Sequence, residues 1–293
     1  MRALPIVFLC WAGCLAAQDL EPVSRHAFAT LDVSGAPRFM AVDGDGVWIT
    51  NTDRIEKLTR PDATPIVTVR IAGVCGIPVV DFNAVWVADC DEQAIHRINR
   101  FDGNRVATLR VAGIAGTPQP AAGAGSIWLV DAAASQLLRI DPRTNGVKAR
   151  IAVTSGSHAA AFGFDSVWIT STKSNSVQRI DARLNRVVAT IAVGPSPLFL
   201  AAGEQAVWVL NQGDGTVTRI DPALNASVAT IDAEASGQGG GIDTGAGRVW
   251  VRGRAPMLSV IDPSMNRVVA RYGPGDSGGA VRVSPGAIWI SSF

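Results

Sequence analysis

Apolar residues in this chain come in short continuous runs, broken by clusters of Gly, Pro, Asp and Asn, and the same run types return in the same order. One type is centred on tryptophan: GVWIT at Trp48, AVWVA at Trp86, SIWLV at Trp128, SVWIT at Trp168, AVWVL at Trp208, RVWVR at Trp250 and AIWIS at Trp289. Continuous rather than alternating apolar character marks strands covered on both faces. About ten residues later a second type follows: RINRFDGNRVATL, RIDPRTNGVKARI, RIDARLNRVVATI, RIDPALNASVATI and VIDPSMNRVVARY, with a looser KLTRPDATPIVTV in the first copy. Here a β-branched run stops at Ile-Asp-Pro, where Asp caps a turn and Pro presets its φ. Asn or Gly then accepts the left-handed conformation before the next β-branched run. That is a hairpin. Another short apolar strand, such as Leu198-Phe199-Leu200-Ala201, precedes the tryptophan and closes in a Gly-containing turn. The predicted unit is four short strands, a to d, with tryptophan on b.

The seven tryptophans are spaced by 38, 42, 40, 40, 42 and 39 residues. Four strands per period predict an all-β chain, a seven-bladed β-propeller of four-stranded antiparallel blades, each covered by its two neighbours. The tryptophans are read as structural wedges between blades. Burying one removes about 150–250 Å² from water, at most about 4–6 kcal/mol. The ring must close, because an open end leaves sheet edges exposed. Val281-Arg282-Val283 and Ala287 to Ser291 supply strands a and b of the last blade. Its other half is expected at the opposite end of the chain, where Leu20-Glu21-Pro22 and Phe28-Ala29-Thr30-Leu31 align without a gap on Ile220-Asp221-Pro222 and Val228-Ala229-Thr230-Ile231. The last blade is thus expected to be shared, two strands from each end.

Residues 1–17 stand apart. Met1-Arg2 is a short positive start, Leu4 to Leu15 is apolar, and Ala16-Ala17 are small residues before Gln18. This reads as a secretory signal peptide, too short to span a bilayer, which leaves 18–293 as a single domain outside the cytoplasm, periplasmic or secreted. The rival, lipid attachment at Cys14, lacks the leucine usual three residues before such a cysteine. No other stretch is long and apolar enough for a transmembrane segment. Cleavage leaves Cys75 and Cys90 of the four cysteines. The repeat puts these two in neighbouring loops on one face of blade two, and a disulfide is predicted. A net charge of +1 and a single Tyr argue against a nucleic-acid partner. A monomer is expected.

The VWV, RIDP and N-x-VVATI repeat resembles the YVTN-type propellers and the streptogramin B lyase (virginiamycin B lyase) propellers over essentially all of residues 18–293. The resemblance implies the seven-bladed fold. For the lyases it also implies a magnesium ion with histidine and glutamate side chains of later blades, opening a cyclic depsipeptide by elimination. This chain has only His26, His96 and His158, so nothing beyond the fourth tryptophan fills the histidine part, and Glu204 and Glu234 have no histidine near them in sequence. No catalytic residue is carried over. HExxH, paired CxxC, G-x-S-x-G and P-loop signatures are all missing. The favoured reading is a non-enzymatic exported binding or interaction module, with a metal-assisted lyase or lactonase as the alternative. No cofactor is predicted, although Asp53, Asp89, Asp91, Asp131 and Asp214 are carboxylates on which a Mg or Ca ion could rest.

Propellers bind at the mouth of the central channel, on the face built by the d-to-a and b-to-c loops. The repeat frame places Arg38, Gln119 and His158 in the former and Asp53, Asp91, Lys173, Asn211, Asp214, Arg252 and Arg254 in the latter. His158 stands where other copies have Pro or Gly, so turn chemistry does not require it. Arg252 and Arg254 replace the usual Asn, Asp or Ser and form a pair suited to clamping a carboxylate or phosphate. The expected partner is a small molecule, peptide or protein of unidentified chemistry.

Overall fold

The repeating hairpins are realised in a computed structural model that describes residues 20–27, 30, 33–44, 46–59, 65–237, 239–273 and 278–291. Six antiparallel four-stranded sheets follow one another along the chain, within residues 40–70, 74–110, 121–152, 157–192, 197–232 and 241–272. A two-stranded sheet, Val281–Ser284 with Ala287–Ile290, comes last; we number these sheets 1 to 7. Successive inner strands are neighbours, and Val281–Ser284 lies beside Met40–Asp43. The chain is an all-β propeller. Only six of the expected seven four-stranded blades are complete among the described residues. Phe28, Ala29 and Leu31, expected in the outermost strand of the last blade, lie outside those residues, as do residues 1–17. Val23–Arg25 form a short 3-10 turn.

Packing between sheets explains the tryptophan period. The indoles of Trp48, Trp86, Trp128, Trp168 and Trp208 are 0–1% exposed. Each packs on aliphatic side chains of the next sheet: Trp48 on Val85 and Val87, Trp86 on Ile127 and Leu129, Trp128 on Val167 and Ile169. Trp168 meets Val207 and Val209, and Trp208 meets Val249 and Val251. Trp250 and Trp289 are only half-buried.

The RIDP…N signature has a second role beyond turn chemistry. In Asp141, Asp181, Asp221 and Asp262 the carboxylate accepts the N–H two residues on, at 2.7–2.9 Å. Asn145, Asn185, Asn225 and Asn266 take positive φ of 57°, 52°, 52° and 49°. The arginine at the head of the motif reaches across to the following sheet. Arg139 Nη1 donates to Ala182 O at 2.6 Å and Asn185 Oδ1 at 2.8 Å. Arg179 does the same with Pro222 O and Asn225 Oδ1 at 2.6 and 2.8 Å, and Arg219 with Pro263 O and Asn266 Oδ1 at 3.0 and 2.7 Å. Arg97 likewise bonds Pro142 O and Asn145 Oδ1. Each guanidinium also lies 4.8–5.5 Å from the indole centroid of its own sheet's tryptophan, within cation–π range. These clasps join sheets 2 to 3, 3 to 4, 4 to 5 and 5 to 6. In sheet 6 the arginine position is Val260, and the clasp stops there.

Candidate functional site

The inner strands surround a cavity of about 280 Å³. On each of these strands one residue is paired opposite the sheet's tryptophan: Ala41, Val79, Ala121, Ala161, Ala201, Asp243 and Arg282, in sheet order. All line the cavity, together with aliphatic residues such as Val80, Ala122 and Val283 and the ring of Phe162. The ring is therefore small and apolar in five sheets and charged in the last two. Asp243 Oδ1 accepts Thr244 N and Oδ2 accepts Val283 N, each at 2.9 Å, which fixes the carboxylate between sheets 6 and 7. Arg282 Nη1 donates to Val281 O at 2.7 Å. Burial pulls the Arg282 pKa below its ordinary value, and the nearby Asp243 charge opposes that shift. Gln119 crosses from sheet 3 to sheet 5, its Nε2 donating to Leu200 O at 3.0 Å, while its buried Oε1 has no hydrogen-bond partner among the described residues.

Of the residues singled out from the sequence, Gln119 alone lines this cavity among the described residues. His158 is half-buried beside Gly116, where an added methyl would stand 3.7 Å from its Cε1. Burial lowers the His158 pKa, against a hydrogen bond with its own backbone. Asn211 is buried and donates to Thr216 Oγ1 and Thr218 Oγ1 at 2.9 and 2.8 Å, holding a loop. Arg252 is 0% exposed and faces backbone carbonyls: Gly253 O, Met257 O, Gly278 O and Ser291 O. Desolvation brings its pKa down to about 10. This arginine ties sheet 6 to the last segment of the chain, whereas Arg254 is exposed, so the two side chains stand in different environments. Arg38, Asp53, Asp91, Lys173 and Asp214 are exposed; Asp53 pairs with Arg54 at 2.9 Å and Asp214 accepts Thr216 Oγ1 at 2.7 Å.

The sequence reasoning missed Asp243 and Arg282. The signal was present: both put a charge at an inner-strand position that is Ala or Val in the other copies, whereas the candidates named from the repeat lie on loops.

Cys75 and Cys90 form a disulfide, with Cα atoms 5.9 Å apart, tying the inner strand of sheet 2 to the end of its tryptophan strand. Close by, ligand atoms of Asp89, Glu92 and His96 lie within 4.8 Å of one another. Asp89 Oδ1 accepts Glu92 N at 2.9 Å, Oδ2 is 3.3 Å from His96 Nε2, and His96 Nδ1 is 3.0 Å from Thr108 Oγ1. The same strand position carries Gln178, Thr218 and Ser259 in sheets 4 to 6, each bonded to the loop entering its sheet, and Leu138 in sheet 3, so a buried polar residue there recurs without being invariant. Gly73, Gly113 and Gly194 belong to these incoming loops. A Cβ at any of them would collide with Asp89, Asp131 or Asn211, which is why IAG, VAG and AVG recur in the sequence.

No known family and no curated protein matches the sequence. Solved structures do. A streptogramin B lyase superposes with a TM-score of 0.76 at 14% identity, over 89% of this chain and 93% of the other. Virginiamycin B lyase from Staphylococcus aureus with quinupristin, a catalytically inactive variant, gives 0.75 at 17% identity over 89% and 94%. BamB from Moraxella catarrhalis gives 0.65 at 14% identity over 89% and 81%. The likeness is one of fold. At these identities a shared propeller carries no shared chemistry, and the resemblance noted in the repeat stands as a resemblance of architecture.

Proposed function

We propose that this chain is an exported seven-bladed propeller that binds a ligand through the mouth of its central channel and performs no chemistry of its own. The observation that carries the reading is the cavity itself: an apolar ring with one charged segment, beside a glutamine that has an unused buried acceptor. Convergent polar groups in a mostly apolar pocket are the usual mark of a small-molecule site. The seventh blade and its closure are supported by the N-terminal segment. Gly273 N donates to Glu21 O at 3.0 Å, and His26 stands edge-on to Tyr272 at 4.9 Å. Val23 packs with Leu258, Val260 and Val281, so an apolar contact replaces the arginine clasp where sheet 6 would meet the next turn. Export is supported by the disulfide, since such bonds persist in oxidising compartments. Of the carboxylates named for a Mg or Ca ion, Asp89 alone stands in a group of possible ligands among the described residues, with Glu92 and His96.

A thermal-shift screen of polar metabolites and short peptides, run on the unaltered protein and on Gln119→Ala, tests the binding reading. Compounds that raise the unfolding midpoint should do so less in the variant. No stabilising compound, or equal stabilisation of both proteins by every hit, overturns it.

A further inference from the structure

The charged segment of the channel is dipolar, and its two members do not bond each other. Among the described residues no Arg282 nitrogen comes within 4.0 Å of an Asp243 oxygen, although their charges interact. Arg282 makes one hydrogen bond, to the neighbouring carbonyl of Val281. A guanidinium carries five donors in a planar fork, so most of this one is available. Each Asp243 oxygen accepts a single backbone N–H, which leaves lone pairs open on a carboxylate offering about four. Charges withdrawn from bulk water are costly unless paired and hydrogen-bonded. Both groups line a cavity whose remaining walls are Ala, Val, Ile, Leu, Pro and Phe residues, together with Gln119. An anion alone would meet Asp243, and a cation alone would meet Arg282. A molecule with both charges at one end and a short apolar body meets the charged pair and the aliphatic walls together.

We propose that the channel binds a small aliphatic zwitterion, a free α-amino acid, with its carboxylate on Arg282, its ammonium on Asp243 and its side chain against Ala121, Ala161 and Ala201. The inference rests on the channel-binding reading above and adds the ligand class. The cavity, about 280 Å³, falls just below the ligand-pocket range of roughly 300–1,000 Å³, which limits the occupant to few heavy atoms.

Isothermal titration of the full-length mature protein with valine, isovalerate and isobutylamine separates the contributions of the two charges. Valine binds, and each singly charged analogue binds at least about ten-fold more weakly, as expected when a charge-assisted contact is lost. Arg282→Gln and Asp243→Asn each weaken valine by a similar factor, with unfolding midpoints recorded to confirm folding. Because the analogue comparison uses the unaltered protein, it stands even if a variant misfolds. Isovalerate binding as tightly as valine reduces the site to an anion site and overturns the proposal, as isobutylamine doing so reduces it to a cation site. Absence of valine binding, while other compounds still bind in a Gln119-sensitive manner, overturns this inference and leaves the broader reading standing. Absence of both removes the two together.

Discussion

Replacing Arg179 tests whether the arginine clasps hold the ring together. Arg179→Met keeps the aliphatic stem against Trp168 but removes donors to Ser166 Oγ, Pro222 O and Asn225 Oδ1, at 2.8, 2.6 and 2.8 Å. Hydrogen bonds to charged groups contribute about 1.5–3 kcal/mol each when buried. This guanidinium is partly open to water, so the combined loss should be nearer 2–3 kcal/mol than the sum, on the order expected for a single disrupted network. Asn225→Gly removes the acceptor while permitting the φ of 52°. In the double-mutant cycle the two changes should couple by about 1 kcal/mol, because residues in one hydrogen-bond network are not additive. Urea unfolding followed by tryptophan fluorescence and far-UV circular dichroism measures this, provided the two probes coincide. Coupling under about 0.3 kcal/mol, the scatter of independent sites, would refute the clasp as an energetic unit.

Two further outcomes follow from the same geometry. Burial lowers the folded-state pKa of His158 and of His96 below 6.5, so the unfolded chain takes up protons first as pH falls. Stability should therefore drop as pH falls through 6.5 toward the lower folded values, and His158→Gln should flatten the profile; identical pH profiles for variant and parent would contradict this. A mature chain shortened to begin after Phe28 loses the contacts of Val23 with Val260 and Val281 and of His26 with Tyr272. Its thermal midpoint should fall by several degrees, and an unchanged midpoint would contradict the shared last blade.

Sheet order, turn positions and the wedge role of tryptophan were legible because each is dictated locally. Asn225 needs the left-handed region, Asp221 needs a nearby N–H, and Trp208 needs two covered faces. The clasp was invisible because it joins residues 43 to 48 positions apart across a sheet boundary, and the sequence shows only that Arg and Asn share a motif. For the site, a frame based on loops selected solvated side chains such as Asp91 and Lys173 together with buried ties such as Arg252. Arg252 illustrates the difficulty: a departure from the repeat draws notice equally whether it serves a ligand or replaces a missing structural bond, and here it holds the carbonyls of the terminal segment. The informative departures lay on the inner strands, where one face of every residue is committed to packing and a charge has few structural uses.

Because the clasps run in one direction and lapse at Val260, the joints of this wheel are unequal. The bolted arc from sheet 2 to sheet 6 contrasts with a seam at sheet 7, flanked by the two half-buried indoles of Trp250 and Trp289. Local opening is therefore expected first in this sector, and limited proteolysis of the native protein should cut there before the clasped arc. The same sector carries Asp243 and Arg282, which makes the unclasped part of the wall also its only charged one among the described cavity-lining residues.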